Sequence, residues 1–237
     1  MSYRRLALIV FAVVEATGAA MLSASVVGVI YQEWSDAGRI ALAAVAVVVL
    51  GEAGRRIVGV AGTLTTREGF TAVGLSWIVM TFVGTLPYLV TGAMAGMTDA
   101  FFETAAGFTT TGASVVPDPE MLSFSILWWR ALTQWMGGMG IIVLSIAILP
   151  LLGTGGVQLA RAESPGPTPD RLTPRFRETA KRLWLVYVGF TALEAILLTF
   201  SDMSVFDAIT HSFTTMSTGG FGTKAESLGA FNEYAQW

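Results

Sequence analysis

The sequence predicts an all-α integral membrane protein of five spanning helices and two short re-entrant loops. Three observations carry that prediction. Charge is scarce, the longest uncharged stretches match a bilayer crossing, and a Thr/Gly-rich loop occurs twice at a fixed offset. Only 13% of the 237 residues are charged, and 53% are hydrophobic. A soluble domain carries about 25% charge, because polar residues must cover its surface. A disordered chain needs low hydrophobicity and high charge, so that class is excluded. There is no Cys, which removes a disulfide scaffold and a thiolate metal site. The single His, His211, cannot build a multi-histidine site within one chain. A net charge of −3 gives no reason to expect nucleic acid.

The spans follow from the gaps in charge. Residues 69–98 and 131–160 are each thirty-residue runs without Asp, Glu, Lys or Arg. A helix needs about 20 apolar residues to cross the hydrocarbon core, so each run holds one span. Shorter apolar stretches cover 6–30, interrupted by Glu15, then 40–50, and 183–200, interrupted by Glu194. The expected helices are 6–31, 39–58, 69–91, 123–151 and 177–200. The first has a second reading. Arg4 and Arg5 before an apolar run, followed by Gly18, Ala19 and Ala20, also fit a secretory signal peptide. Apolar character continuing through 21–30 speaks against it. With the N-terminus in the cytoplasm, 11 of the 14 basic residues fall inside: Arg4, Arg5, Arg55, Arg56, Arg67, Arg161, Arg171, Arg175, Arg177, Lys181 and Arg182. Arg39 and Lys224 fall outside, and Arg130 in or near a helix. That bias supports five spans and a cytoplasmic N-terminus.

Residues 99–114 and 207–222 read poorly as spans. Each starts at an Asp, a good N-cap, runs for two to three helical turns and ends in a Thr/Ser/Gly cluster. Adding 108 to the first loop superimposes Asp99 on Asp207, Ala100 on Ala208, Thr110 on Thr218 and Gly112 on Gly220, without a gap. The same offset lays the third span on the fifth. Irregular backbone at membrane depth is tolerated only where it is buried in protein or lines a watery cavity. Backbone carbonyls of such a loop can replace a cation's hydration shell. A short helix aims its negative C-terminal end at the same place. Thr hydroxyls add oxygen ligands, and hard oxygen donors suit an alkali cation.

At these residues the chain resembles the pore-forming, TrkH-type subunit of the Trk potassium-uptake system, in the Trk/Ktr/HKT superfamily. The resemblance rests on 99–114, on Gln134-Trp-Met-Gly-Gly-Met-Gly and the Ile-Ile-Val after it, on Ala147-Ile-Leu-Pro150, on 161–167, on 207–223 and on Arg67-Glu-Gly-Phe70. It implies four helix–pore loop–helix repeats around one ion path, of which this chain holds one complete and one partial, preceded by two extra transmembrane helices. The implied units are 1–62 (the extra helices), 63–152 (first repeat), 153–174 (a cytoplasmic Pro-rich linker) and 175–237 (a second repeat truncated after its filter). Because the family keeps its first helix, the signal-peptide reading weakens. Position by position, the first filter is Thr109, Thr110, Thr111, Gly112 and Ala113. The second is Ser217, Thr218, Gly219, Gly220 and Phe221. Gly112 and Gly220 take the glycine positions associated with potassium selectivity; Ser at the first would suggest sodium. The implied activity is channel-like potassium uptake, with K+ as cargo at the filter residues and no covalent cofactor. The implied setting is the inner cell membrane and its lipid. Implied partners are a homo-oligomer of the full-length protein and a separate cytoplasmic nucleotide-binding regulatory subunit, with no nucleic acid. The length implies a truncation that does not conduct alone.

Several other residues are weighed individually. Glu103 is expected to support the first filter, as are Asp99 and Asp207 at the loop starts. Arg130 either pairs with a pore-helix carboxylate or snorkels to the interface. His211, which replaces Glu103 under the offset, reads as a pore-helix hydrogen-bonder. Glu15 and Glu194 are expected to face other helices. Gly137, Gly138 and Gly140 read as close packing, and Trp128, Trp129 and Trp135 as packing or belt residues. Pro165, Pro167, Pro169 and Pro174 mark the linker. The rival readings are a non-conducting regulatory or assembly fragment, and a solute transporter with discontinuous helices. No nucleophile–base set or phosphate loop suggests an enzyme.

Overall fold

The computed structural model describes residues 2–59, 66–152 and 172–236, and every regular element among them is helical. Helices α1 (Tyr3–Ile30) and α2 (Trp34–Val58) form an antiparallel hairpin. Small residues set their close approach, as in other membrane helix pairs. A Cβ added to Gly18 would lie 2.8 Å from Val47 Cγ1, and one on Gly51 2.7 Å from Glu15 Cβ. Glu15 pairs with Arg55 across the hairpin, so it does face another helix. Together with Arg67–Thr91, these helices are long and apolar enough to cross a membrane. The other long helices are α6 (Phe124–Leu152) and α7 (Leu172–Leu198). Both α2 and α7 begin five residues before the expected starts. The added turns carry Asp36 in α2, just ahead of Arg39, and Arg175 in α7. Hydropathy marks such turns as loop, but a charged side chain near a bilayer surface does not end a helix; Arg39 donates to the Val90 and Thr91 carbonyls at 3.4 and 3.5 Å.

The expected third span is broken into α3 (Thr66–Gly84) and α4 (Leu86–Thr91). Pro87 is the cause: it has no N–H, and its ring excludes a straight continuation from the preceding turn. Thr85 N–H tightens onto the Phe82 carbonyl at 3.3 Å. The Gly84 carbonyl instead receives the indole N–H of Trp129 at 2.9 Å.

Two short helices carry the loops: α5 (Met97–Phe108) and α8 (Val205–Met216). Neither starts at its Asp. The N-caps are Gly96 and Ser204, which places Asp99 and Asp207 in the first turn. The expectation that these carboxylates are the caps is corrected. Ser204 Oγ accepts the Asp207 N–H at 3.1 Å and so takes the capping role. A last short helix, α9, spans Glu233–Gln236. The linker containing Pro165, Pro167 and Pro169 lies outside the described residues.

The core lies where the hairpin meets α4, α5 and α6, around fully buried Met21, Ile40, Tyr88, Phe108 and Trp129. The three weighed tryptophans pack with their N–H groups satisfied: Trp128 donates to Ser23, Trp129 to Gly84 and Trp135 to Thr191. At the opposite end from Arg55, Glu33 of the hairpin caps α6. Its carboxylate accepts the N–H groups of Phe124 (2.7 Å) and Ser125 (3.0 Å). Tyr31 stacks on Phe124 at 4.0 Å, and Phe206 of α8 meets both rings edge-on. The hairpin thus braces both repeats. Glu33→Ala is expected to remove about 1–2 kcal/mol of cap and dipole stabilisation. Its unfolding midpoint in detergent should fall further than that of Glu33→Gln, which keeps an acceptor. Equal midpoints for the two variants would show that the hydrogen-bond acceptor contributes nothing.

Candidate functional site

The two loops leave their helices by the same turn. In the first, Thr109 N–H bonds to Ala105 O (2.9 Å) and Thr110 N–H to Gly107 O (2.9 Å). Thr111 and Gly112 N–H groups both reach Ala106 O (3.0 and 3.3 Å). In the second, Ser217 bonds to Phe213, Thr218 to Thr215, and Gly219 and Gly220 both to Thr214. Every donor and every acceptor is displaced by 108 positions. The backbone repeats too: Thr110 and Gly112 have φ of 55° and 72°, and Thr218 and Gly220 have 57° and 82°. Left-handed φ is costly for a residue with a Cβ, so Gly at 112 and 220 is the residue this path calls for.

The consequence is chemical. The N–H groups of 109–112 are all consumed by the helix end. Among the described residues no donor reaches the carbonyl oxygens of Thr109, Thr110, Thr111 or Gly112, nor those of Thr218, Gly219 or Gly220. A row of acceptors without donors, next to the negative end of a helix, suits a cation and repels an anion. The hydroxyls contribute less than expected. Thr109 Oγ1 donates to Ala105 O (2.7 Å) and Ser217 Oγ to Phe213 O (2.8 Å), so both serve the helix ends. Thr111 Oγ1 is bonded to Thr109 Oγ1 at 2.8 Å. The oxygens left over are mainly backbone carbonyls. Thr109, Thr111, Ala113, Thr218 and Gly220 are exposed, whereas Ser217, Gly219 and Phe221 are buried.

Behind the first loop lies a buried ion pair. Glu103, with no exposed surface, accepts Ser114 Oγ (2.9 Å) and Val115 N–H (2.9 Å), which holds the outgoing strand. Arg130 Nε donates to Glu103 Oε1 at 2.9 Å. Of the two readings weighed for Arg130, pairing is the one observed; the side chain is 2% exposed and does not snorkel. Arg130 also reaches the second loop, donating to Gly222 O at 3.2 Å, with its guanidinium 4.4 Å from the Phe221 ring centre. The second loop is held differently. Asp207 accepts Thr223 Oγ1 at 2.6 Å, and His211 Nε2 lies 3.3 Å from the same oxygen. His211 is thus a hydrogen-bonding pore-helix residue. Among the described residues no acidic or histidine cluster forms a metal site.

Asp99 is not brought to the first filter strand. It lines a cavity of about 590 Å³ with Asp36, Val115 and Val116. Glu194 of α7 lines a cavity together with Thr215 of α8, so it too faces a helix. The glycine run of α6 proves to be a seat for the pore-helix ends. A Cβ on Gly137 would fall 1.9 Å from Phe108 O, and one on Gly138 2.9 Å from Ser217 Cβ. A Cβ on Gly140 would make only ordinary contact with Trp77.

Gln134 and Glu33 carry no role that the sequence announces. Their signal was a polar residue in an uncharged run and an acid in a short turn, which names no partner.

Comparison with known proteins agrees with this geometry. The TrkH family, described as a cation transport protein, matches residues 42–237. The Trk system potassium uptake protein TrkH of Escherichia coli K12 is 51% identical over 173 residues, covering 72% of this chain and 36% of that protein. TrkG of the same strain is 40% identical over 173 residues, again 72% of this chain and 36% of the relative. The crystal structure of the potassium transporter TrkH from Vibrio parahaemolyticus superimposes with a TM-score of 0.85 at 36% identity. It covers 99% of this chain and 47% of that one. The chain therefore spans about a third of its curated relatives' length. With a family match over most of its length and a shared fold, this multi-pass membrane protein belongs to the TrkH family of cation transport proteins.

Proposed function

We propose that the chain supplies two of the selectivity loops of a potassium-translocating pore, acting as part of a longer protein. The observation that carries this reading is the 108-position repeat of loop hydrogen bonds and left-handed φ, which leaves backbone carbonyls free at two helix C-termini. Potassium is the cargo and meets Thr109, Thr110, Thr111, Gly112, Ala113, Ser217, Thr218, Gly219, Gly220 and Phe221. Glu103, Arg130 and Asp207 support the loops. Arg4, Arg5, Arg55, Arg56 and Arg67 gather at one end of the first three helices, which supports a cytoplasmic N-terminus in an inner membrane. The remaining pore loops, a homo-oligomeric assembly and a cytoplasmic nucleotide-binding regulator are assigned to the complete protein. The test is growth of an uptake-deficient strain at limiting potassium. The complete reading frame containing this segment is expected to restore growth, and the 237-residue chain alone is not. Membrane insertion of the complete protein without uptake would refute the proposal in favour of a non-conducting assembly role.

A further inference from the structure

Helix α6 carries one buried side chain that the filter reading leaves without a task. Gln134 is fully buried and sits one turn after Arg130, on the same face. Its amide is wedged between the two loops. Oε1 accepts the N–H of Phe221 at 3.1 Å, a bond that crosses from the first repeat to the second. A Cβ on Gly219 would fall 2.3 Å from the Gln134 amide carbon, so the second loop lies against the amide plane. A Cβ on Gly112 would fall 3.7 Å from Nε2, which places the first loop at the other end of the same group. Nε2 itself has no hydrogen-bond partner among the described residues. A buried amide with unused donors costs stability, and an apolar side chain of the same length would pack α6 without that cost.

We infer that Gln134 is a positioning residue for ion selection: its amide, between Gly112 and the Gly219–Phe221 backbone, sets the spacing of the two loops' carbonyls. The inference rests on the filter reading above. Discrimination among alkali cations depends on the number and placement of carbonyl oxygens around the ion. The Phe221 N–H is the point where the second loop would otherwise drift, because its neighbours 217–220 are already tied to α8. The acceptor that stops the drift belongs to the first repeat, so the two loops share one reference.

The test uses the complete transporter containing this segment, reconstituted in liposomes, with potassium and sodium flux measured for the parent protein and for Gln134→Leu, Gln134→Asn and Gln134→Glu. Leu fills the space but lacks the acceptor, and Asn keeps the amide one methylene short. Both are expected to raise the sodium-to-potassium flux ratio about tenfold, with KM for potassium moving more than maximal rate. Glu keeps an acceptor oxygen at the same reach and is expected to stay within about threefold of the parent ratio. If Gln134→Leu fails to assemble, the contrast between Asn and Glu decides alone. An unchanged ratio in the assembled Leu and Asn variants overturns the inference, and so does a Glu variant as unselective as Asn. A parent protein without potassium-selective flux refutes the filter reading itself. A selective parent with indifferent Gln134 variants refutes only the role of Gln134.

Discussion

In the proposed pore, replacing Gly112 by Ser is expected to remove potassium selectivity from the complete protein, while Gly220→Ser only weakens it. Both glycines sit at left-handed φ, where a residue with a Cβ loses about 1–2 kcal/mol. Their surroundings differ. A Cβ on Gly112 would lie 1.9 Å from the Gly219 carbonyl oxygen, a backbone atom that cannot rotate away. The loops must separate, and the carbonyls of both repeats move with them. A Cβ on Gly220 meets nothing within 4 Å, so that substitution carries backbone strain alone. In sodium-to-potassium permeability ratios taken from reversal potentials, Gly112→Ser should raise the ratio by about tenfold or more, and Gly220→Ser by clearly less. Equal effects would mean that the approach of the two loops does not govern selection.

Loss of Arg130 is expected to be the most damaging single change for assembly. Arg130→Leu leaves the Glu103 carboxylate buried with no cationic partner. Breaking a buried pair by removing one partner costs about 3–5 kcal/mol. It also frees Gly222 O of the second loop. Glu103→Gln should be milder, because a neutral amide oxygen still accepts from Ser114 and Val115, and the Arg130 cation left behind keeps Gly222 O, Ser114 Oγ and the face of Phe221. The double change Arg130→Met with Glu103→Met removes both charges and should recover much of the stability lost in Arg130→Leu. Thermal unfolding of the purified double variant and of Arg130→Met and Glu103→Met singly measures this as a double-mutant cycle. Strictly additive losses would show that the two side chains do not act as a pair. Recovered stability without recovered selectivity is the expected pattern, since two methionines cannot hold the Val115 N–H or the Gly222 carbonyl.

Much of this architecture was legible before any coordinates. The two charge-free runs announced α3 with α4 and α6, because burial in lipid leaves a mark on composition. The Gly112 and Gly220 positions were legible because a left-handed turn restricts the residue type at that point in the chain. The break at Pro87 was also written locally, yet hydropathy alone passed over it, since Pro does not interrupt an apolar run. The helix starts at Gly96 and Ser204 were misplaced by three residues. An Asp in the first turn and an Asp at the cap have nearly the same sequence surroundings and both favour the positive helix end.

The chain alone thus determined its first three apolar crossings, its two loops and their 108-residue period, all of which depend on neighbours in sequence or on the surrounding lipid. Packing decided the partners. Glu33 meets α6 across 91 positions, Arg130 meets Glu103 across 27 and Gly222 across 92, and Gln134 meets Phe221 across 87. A side chain's type states what it needs, an acceptor or a counter-charge, but many residues could meet that need. Only the close packing of α6 between α5 and α8 selects one, because burial excludes water and leaves a single group within hydrogen-bond reach.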